Sequence, residues 1–256
     1  MTREKIWNIA RRQSAADLNC AAEDFLKTES LVVLSEKKPD ARKYLELPFS
    51  CQLVSYGSNV VASVSPPYRE IAERYIRTYP AVNCFETPHL NALSEALAPL
   101  GQKLCFMAEY FLPEPDALRD LPCACELRLL HPADFRELYL PQWSNALCEK
   151  RKELDVLGVG AYAEGELVGF AGCSADCADM WQIGVDVLPS WRRQGIAAAV
   201  TSRLAREILD RDKVPFYCAA WSNLPSVRNA LHSGFRPAWV ELTAKPAAFV
   251  DKLNEG

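Results

Sequence analysis

The sequence predicts a mixed α/β protein of two domains, on three observations. Strand-like runs rich in Val and aromatic residues alternate with helix-period segments, a proline-dense stretch interrupts the chain near its middle, and glycine is confined almost wholly to the half beyond that stretch. Leu112-Pro113-Glu114-Pro115-Asp116, followed by Pro122, suits an extended connector rather than a helix or a central strand. Of the eleven glycines only Gly57 and Gly101 precede Gly158. A boundary near 112–125 is therefore expected, with an N-terminal α/β domain over 1–122 and a second domain over 123–256. With 49% hydrophobic residues in 256, the chain can bury substantial cores, which argues against disorder, collagen-like repeats and a coiled coil.

The elements follow from local pattern. Asn8 to Lys27 reads as a helix, because Ala15, Leu18, Ala22, Phe25 and Leu26 fall on one face. Cys51–Ser55 and Val60–Val64 flank Tyr56-Gly57-Ser58-Asn59, a hairpin turn composition. Pro66–Tyr79 and Pro88–Leu97 read as helices, and Lys103–Phe111 as a strand. Past the boundary come a short strand at Glu126–Leu130 and a helix start at His131-Pro132-Ala133-Asp134-Phe135. Strands over Val156–Ala163 and Leu167–Cys173 flank Glu164-Gly165-Glu166, and Met180–Val187 makes a third. A helix over Gly195–Asp210, a strand over Val214–Trp221, a helix over Leu224–Ser233 and strand segments around Phe235–Thr243 complete the pattern.

Charge and segment composition exclude several functions. With 29 basic residues against 33 acidic, the net charge of −4 leaves no basic excess to neutralise phosphates, so nucleic acid is not an expected partner. No stretch approaches the roughly 18 apolar residues that span a bilayer, and Met1 to Ala10 is not signal-like. No membrane association is expected, and the location is read as cytoplasmic. Ten cysteines in such a chain are expected to be free thiols. Cys123-Ala124-Cys125 and Cys173-Ser174-Ala175-Asp176-Cys177 lack the usual metal-ligand spacing and have no paired histidines, so no metal site is expected. A thiol or metal protein is thus the weakest class. Cys173 and Cys177 are placed in the turn before the strand at 180. His89, His131 and His232 are scattered and read as structural.

The segment that carries chemistry is Ile183-Gly184-Val185-Asp186-Val187-Leu188-Pro189-Ser190-Trp191-Arg192-Arg193-Gln194-Gly195-Ile196-Ala197, which runs strand, turn, glycine, helix. A helix start offers unpaired N–H groups and the positive end of its dipole, hence an anion site. Gly195 and Ala197 let an anion approach the main chain, and Arg192 and Arg193 add positive charge. Ile196, Val200, Leu204 and Ile208 give that helix a core-facing stripe. A second segment, Trp221-Ser222-Asn223-Leu224-Pro225-Ser226 through Gly234-Phe235, is a short helix with Asn223 or Ser222 to cap it and Gly234 to stop it.

Together the two segments resemble the GNAT superfamily of N-acetyltransferases, over roughly Cys125 to Lys245. The family's acetyl-CoA signature is matched by Arg192, Gly195 and Ala197, and its second signature by Asn223, Gly234 and Phe235. The second motif and the Trp239-Val240-Glu241-Leu242 ending look similar to a bacterial subgroup with an extra N-terminal domain. The resemblance implies a mixed sheet splayed between its fourth and fifth strands and an acetyl-CoA co-substrate. Its pantetheine would bond to Val185, Asp186 and Val187, and its pyrophosphate would sit on the amides of Arg193, Gln194, Gly195, Ile196, Ala197 and Ala198. Asn223 and Ser226 would contact it from the far wall.

Transfer to an amine needs a base, a polarised carbonyl and protonation of the leaving thiolate. Many family members place a Tyr seven residues after the Asn, where this chain has Ala230. Where some carry a strand Glu, it has Trp181, with Gln182 next. Ser222, Tyr217, His232 and Ser233 are nearby in sequence but none has that spacing, and Asp179, Asp186 and Glu149 are the carboxylates taken as candidates to reach the site, if need be through water. The leading expectation is an acetyl-CoA-dependent N-acetyltransferase acting directly on an amine of a small molecule or peptide. The alternative is a non-catalytic acyl-CoA-binding sensor on the same fold. The N-terminal half, possibly a degenerate GNAT-like fold, would shape the acceptor channel.

Overall fold

The computed structural model describes residues 1–255 and divides into two compact units. Unit 1 comprises residues 1–10 and 111–237, and unit 2 residues 11–110 and 238–256. This division departs from a cut at 122/123 in three ways: it falls at 110/111, the first ten residues belong to unit 1, and the last residues return to unit 2. The proline-dense stretch explains the first difference. It packs within unit 1 instead of hanging free: Glu114 N–H donates to Gly234 O at 2.9 Å, Ser202 Oγ donates to Arg119 O at 2.8 Å, and Arg206 pairs with Asp120.

The chain opens with α1 (Arg3–Leu18). It starts earlier than the apolar stripe indicates, because Thr2 Oγ1 accepts the Lys5 N–H at 3.3 Å, and it stops at Asn19, which adopts φ +62°. Residues Ala22–Leu26 form a separate 3-10 turn. In unit 2, β1 (Leu31–Leu34), which the sequence pattern does not disclose, runs parallel to β3 (Val61–Val64). The hairpin partner β2 (Cys51–Ser55) is antiparallel to β3. α2 (Arg69–Thr78) and α3 (Thr87–Leu97) contribute Ala72, Tyr75, Ile76, Leu93 and Leu97 to a core that also contains Leu53, Val60, Ala62 and Val64. β4 (Gln102–Pro113) leads into unit 1.

Unit 1 holds β5 (Glu126–Leu130), β6 (Asp155–Ala163), β7 (Glu166–Ser174), β8 (Met180–Val187) and β9 (Val214–Ala219). The first four pair antiparallel in sequence order, and β8 pairs parallel with β9. Between β5 and β6, where the local pattern suggests a helix start, the chain forms only 3-10 turns, at Pro132–Phe135, Pro141–Trp143 and Glu149–Leu154. α4 (Ile196–Leu209) makes the parallel crossover and buries Ile196, Val200, Leu204 and Ile208 against the sheet. α5 (Leu224–His232) follows β9. β10 (Phe235–Pro246) begins in unit 1 and ends in unit 2, where Val240 to Ala244 pair antiparallel with Ser55 to Cys51, and α6 (Ala247–Asn254) closes the chain.

A buried polar cluster fixes β10 within unit 2. Arg42, 3% exposed, pairs with Asp17 at 2.5 Å and Glu241 at 2.8 Å. Gln52 Nε2 and Trp239 Nε1 also donate to Glu241. Burial pushes the Asp17 carboxyl up against the pull of Arg42, while the acidic neighbours of Arg42 outweigh its own burial and hold it charged.

Candidate functional site

The site of interest lies where β8 and β9 part. Their register consists of Met180↔Val214, Trp181↔Pro215 and Gln182↔Phe216, whereas β8 stays paired with β7 as far as Val187↔Gly169. Beyond Gln182 and Phe216 the two parallel strands therefore diverge, and Val185, Asp186 and Val187, all half-buried, form one lip of the opening. A splay between the fourth and fifth strands of this sheet is what the resemblance implied.

At the end of that lip the chain makes a compact anion-type cradle. Arg192 Nε donates to Val187 O at 3.1 Å, folding the arginine back onto the strand end. Arg193 takes φ +63° and Gly195 φ +82°, and α4 begins at Ile196. The first helical bond is Ala199 N–H to Gly195 O at 3.0 Å, so the N–H groups of Ile196, Ala197 and Ala198 have no intrahelical acceptor and point out of the helix start. Arg193, Gln194 and Gly195 are exposed.

β9 and α5 form the other lip. Asn223 caps α5 by accepting the Ser226 N–H at 3.3 Å. The Ser226 hydroxyl lies 2.8 Å from that of Tyr217 on β9. Asn229, one turn on, donates to Thr201 Oγ1 of α4 at 3.1 Å. Burial raises the Tyr217 phenol, against the pull of Ser226 and Asn229. Ala230 is fully buried in the same core.

The carboxylates read from sequence fall in three settings. Asp179 is exposed at the N-terminal end of β8, 3.5 Å from Lys213, and about 20 Å of strand separates it from Val185. Glu149 is exposed and 3.4 Å from Lys152. Asp186 alone lies in the open part of β8, and three donors engage it. Asn145 N–H, Ala146 N–H and Asn145 Nδ2 donate at 2.9, 3.0 and 2.6 Å. They bind the segment around 145 over Gly172 and Gly184, which face each other in register, and a Cβ at either position would collide with the main-chain oxygen of Ala146 or Asn145.

One acid escapes a reading of the sequence alone. Asp155 begins the cross-strand row Asp155↔Ser174↔Gln182↔Phe216, which ends at the last β8–β9 pair. It is 3% exposed and accepts the Cys148 N–H at 2.9 Å. Burial pushes its pKa up to about 6, although the Cys148 N–H, Tyr139 and Arg151 pull it down. Only the full register discloses this row; in the sequence Asp155 is one acid in a charged run. The neighbouring Asp176 is held by Arg151 and by Ser174 Oγ at 2.6 Å.

All ten cysteines are thiols rather than disulfides. Cys173 lies within β7 and not in the turn; Cys177 is in the turn, and both are buried. Burial raises the Cys173 thiol. Among the described residues no three His, Cys, Asp or Glu side chains come together to hold a metal ion, and no helix is long and apolar enough to cross a membrane.

The chain belongs to the GNAT acetyltransferase family: the GNAT acetyltransferase model matches residues 83–238, more than half of its length. Acyl transfer is the class of activity that this membership supports. The match begins well before Cys125, inside unit 2. No curated protein matches the chain. Among solved structures, it is similar to a GCN5-related N-acetyltransferase from Kribbella flavida, with 18% identity over 73% of this chain and 81% of that one and a TM-score of 0.49. An acetyltransferase of the GNAT family from Colwellia psychrerythraea shares 17% identity over 62% of this chain and 63% of its own, less than two thirds of its length, with a TM-score of 0.43. An aminoglycoside N-acetyltransferase in complex with CoA shares 19% identity over 46% of this chain and 93% of its own, with a TM-score of 0.36.

Proposed function

We propose that this chain is an N-acetyltransferase that moves the acetyl group of acetyl-CoA directly to an amine of a small molecule or peptide. The observation that carries this reading is the parting of β8 and β9 beyond Gln182 and Phe216, with the amides of the α4 start at the end of the gap. An extended pantetheine would bond to Val185, Asp186 and Val187 as a strand does. Its pyrophosphate would accept from the amides of Arg193 through Ala198, and Asn223 and Ser226 would face it from α5. Of the acids proposed for proton removal, Asp186 is the one on the open part of β8; Asp179 and Glu149 would have to act through water. A cytoplasmic location fits the ten thiols.

Calorimetric titration of the full chain with acetyl-CoA tests the reading. Micromolar or tighter binding is expected, and Gly195→Glu, which sets a negative charge against the pyrophosphate, should abolish it. Unaltered binding in that variant would refute the placement.

A second reading, a non-catalytic acyl-CoA-binding module, is favoured by Ala230 and Trp181 at positions where relatives carry an acid and a base. An amine panel with release of free CoA as readout separates the two: turnover above spontaneous hydrolysis excludes the module, and its absence despite tight binding supports it.

A further inference from the structure

We propose that Tyr217 is the proton donor to the departing CoA thiolate. This assignment rests on the acetyl-transfer reading above and adds to it the acid that Ala230 leaves unassigned. The β8–β9 pairing ends at Gln182↔Phe216, and Tyr217 is the next residue of β9, hence the first past the closed end of the splay. A thioester carried inward along β8 from the α4 cradle would stop at that end. The side chain is fixed there: the ring lies between Phe111 and Phe235, with centroids 6.4 and 6.2 Å away, and is 4% exposed. Its hydroxyl is the polar end of this buried ring, and it meets the half-exposed Ser226 hydroxyl at 2.8 Å. Ser226 sits in the first turn of α5, on the lip of the opening. A buried phenol backed by a hydroxyl thus stands where sulfur must leave, and burial keeps it protonated at neutral pH.

The step balances without a further reactant. The acceptor nitrogen bonds to the thioester carbonyl carbon, the C–S bond breaks with its electron pair going to sulfur, and the phenolic proton passes to that sulfur. The phenolate, facing Ser226 and Asn229, is reprotonated by solvent that has taken the proton lost from nitrogen. The products are the amide and free CoA.

The test compares the full-length chain with Tyr217→Phe and Ser226→Ala, using an amine found to be acetylated. Tyr217→Phe, which keeps the ring, should lower kcat about 100-fold while the acetyl-CoA Kd and the amine KM stay within threefold. Ser226→Ala should lower kcat about tenfold. With the acetyl ester of thiophenol, whose thiolate needs no proton, the gap between the unaltered chain and Tyr217→Phe should shrink to within threefold. A merely structural role would not produce that leaving-group dependence. A kcat within threefold of the unaltered chain in both variants, or an equal loss with both thioesters, overturns the assignment. If the unaltered chain binds acetyl-CoA but acetylates no amine, the acetyl-transfer reading fails first and this assignment goes with it.

Discussion

Gly195 holds φ at +82°, and a Cβ there would meet nothing closer than Pro122 O at 3.9 Å. Space is available while the backbone conformation is not, so Gly195→Ala should destabilise the fold by about 1–2 kcal/mol in urea titration. It should retain acetyl-CoA binding that Gly195→Glu loses, which separates backbone strain from charge. Asp155 makes a different prediction. Its folded pKa, raised by burial from 3.8 to about 6, means that the folded state binds this proton more tightly than the unfolded chain does. The group therefore costs stability above pH 6, and the cost disappears as pH falls through 6 toward 4. Asp155→Asn keeps the shape and removes that titration. The stability of the unaltered chain minus that of the variant should fall by up to about 3 kcal/mol between pH 4 and pH 8, measured by chemical denaturation. The glycine at the start of α4 was legible because a left-handed position between a strand and an apolar helical stripe suits glycine. The Asp155 row was not, since it joins residues about sixty positions apart through pairings that no local pattern specifies.

At the level of elements, Gly184 is decided by the chain segment that lies over the sheet. The main chain at Asn145 presses on it so closely that Gly184→Ala must displace the segment or the strand. A loss of about 2–3 kcal/mol is expected, seen as a lower melting temperature. The strands and helices from Cys51 to Leu97 and from β6 to α5 could be read because apolar period and turn residues agree along them. β1 could not, being four residues long at a sheet edge, and neither could α6, a short helix with no buried side chain. The start of α1 just after Thr2 was readable in principle: a threonine whose hydroxyl can accept the amide three residues on is a capping signal, set outside the apolar stripe. At the helix start expected at His131, Pro132 and Asp134 do form a capped turn, but no apolar stripe continues from it to extend it.

For the whole molecule, the Arg42 cluster shows what holds unit 2 closed. Arg42→Met would leave Asp17 and Glu241 buried without their cation, and a loss of about 3–5 kcal/mol is expected by urea denaturation. Adding Asp17→Asn to it should recover part of that loss. The two-unit organisation was legible as a change of style along the chain, but its boundaries were not. Proline density marks a segment that avoids regular structure without saying where it packs, and nothing local in β10 announces that its second half belongs with residues 11–110.

That return of the C-terminus sets an order of events during synthesis. The residues of unit 1 have all been made once Pro237 is joined, whereas β2 in unit 2 waits for Val240 to Ala244, although most of its unit was translated before unit 1 began in earnest. On the ribosome the earlier-made unit is thus the later to be completed, and a chain released at residue 237 would carry an unpaired β2 edge and a buried arginine lacking one of its two carboxylates.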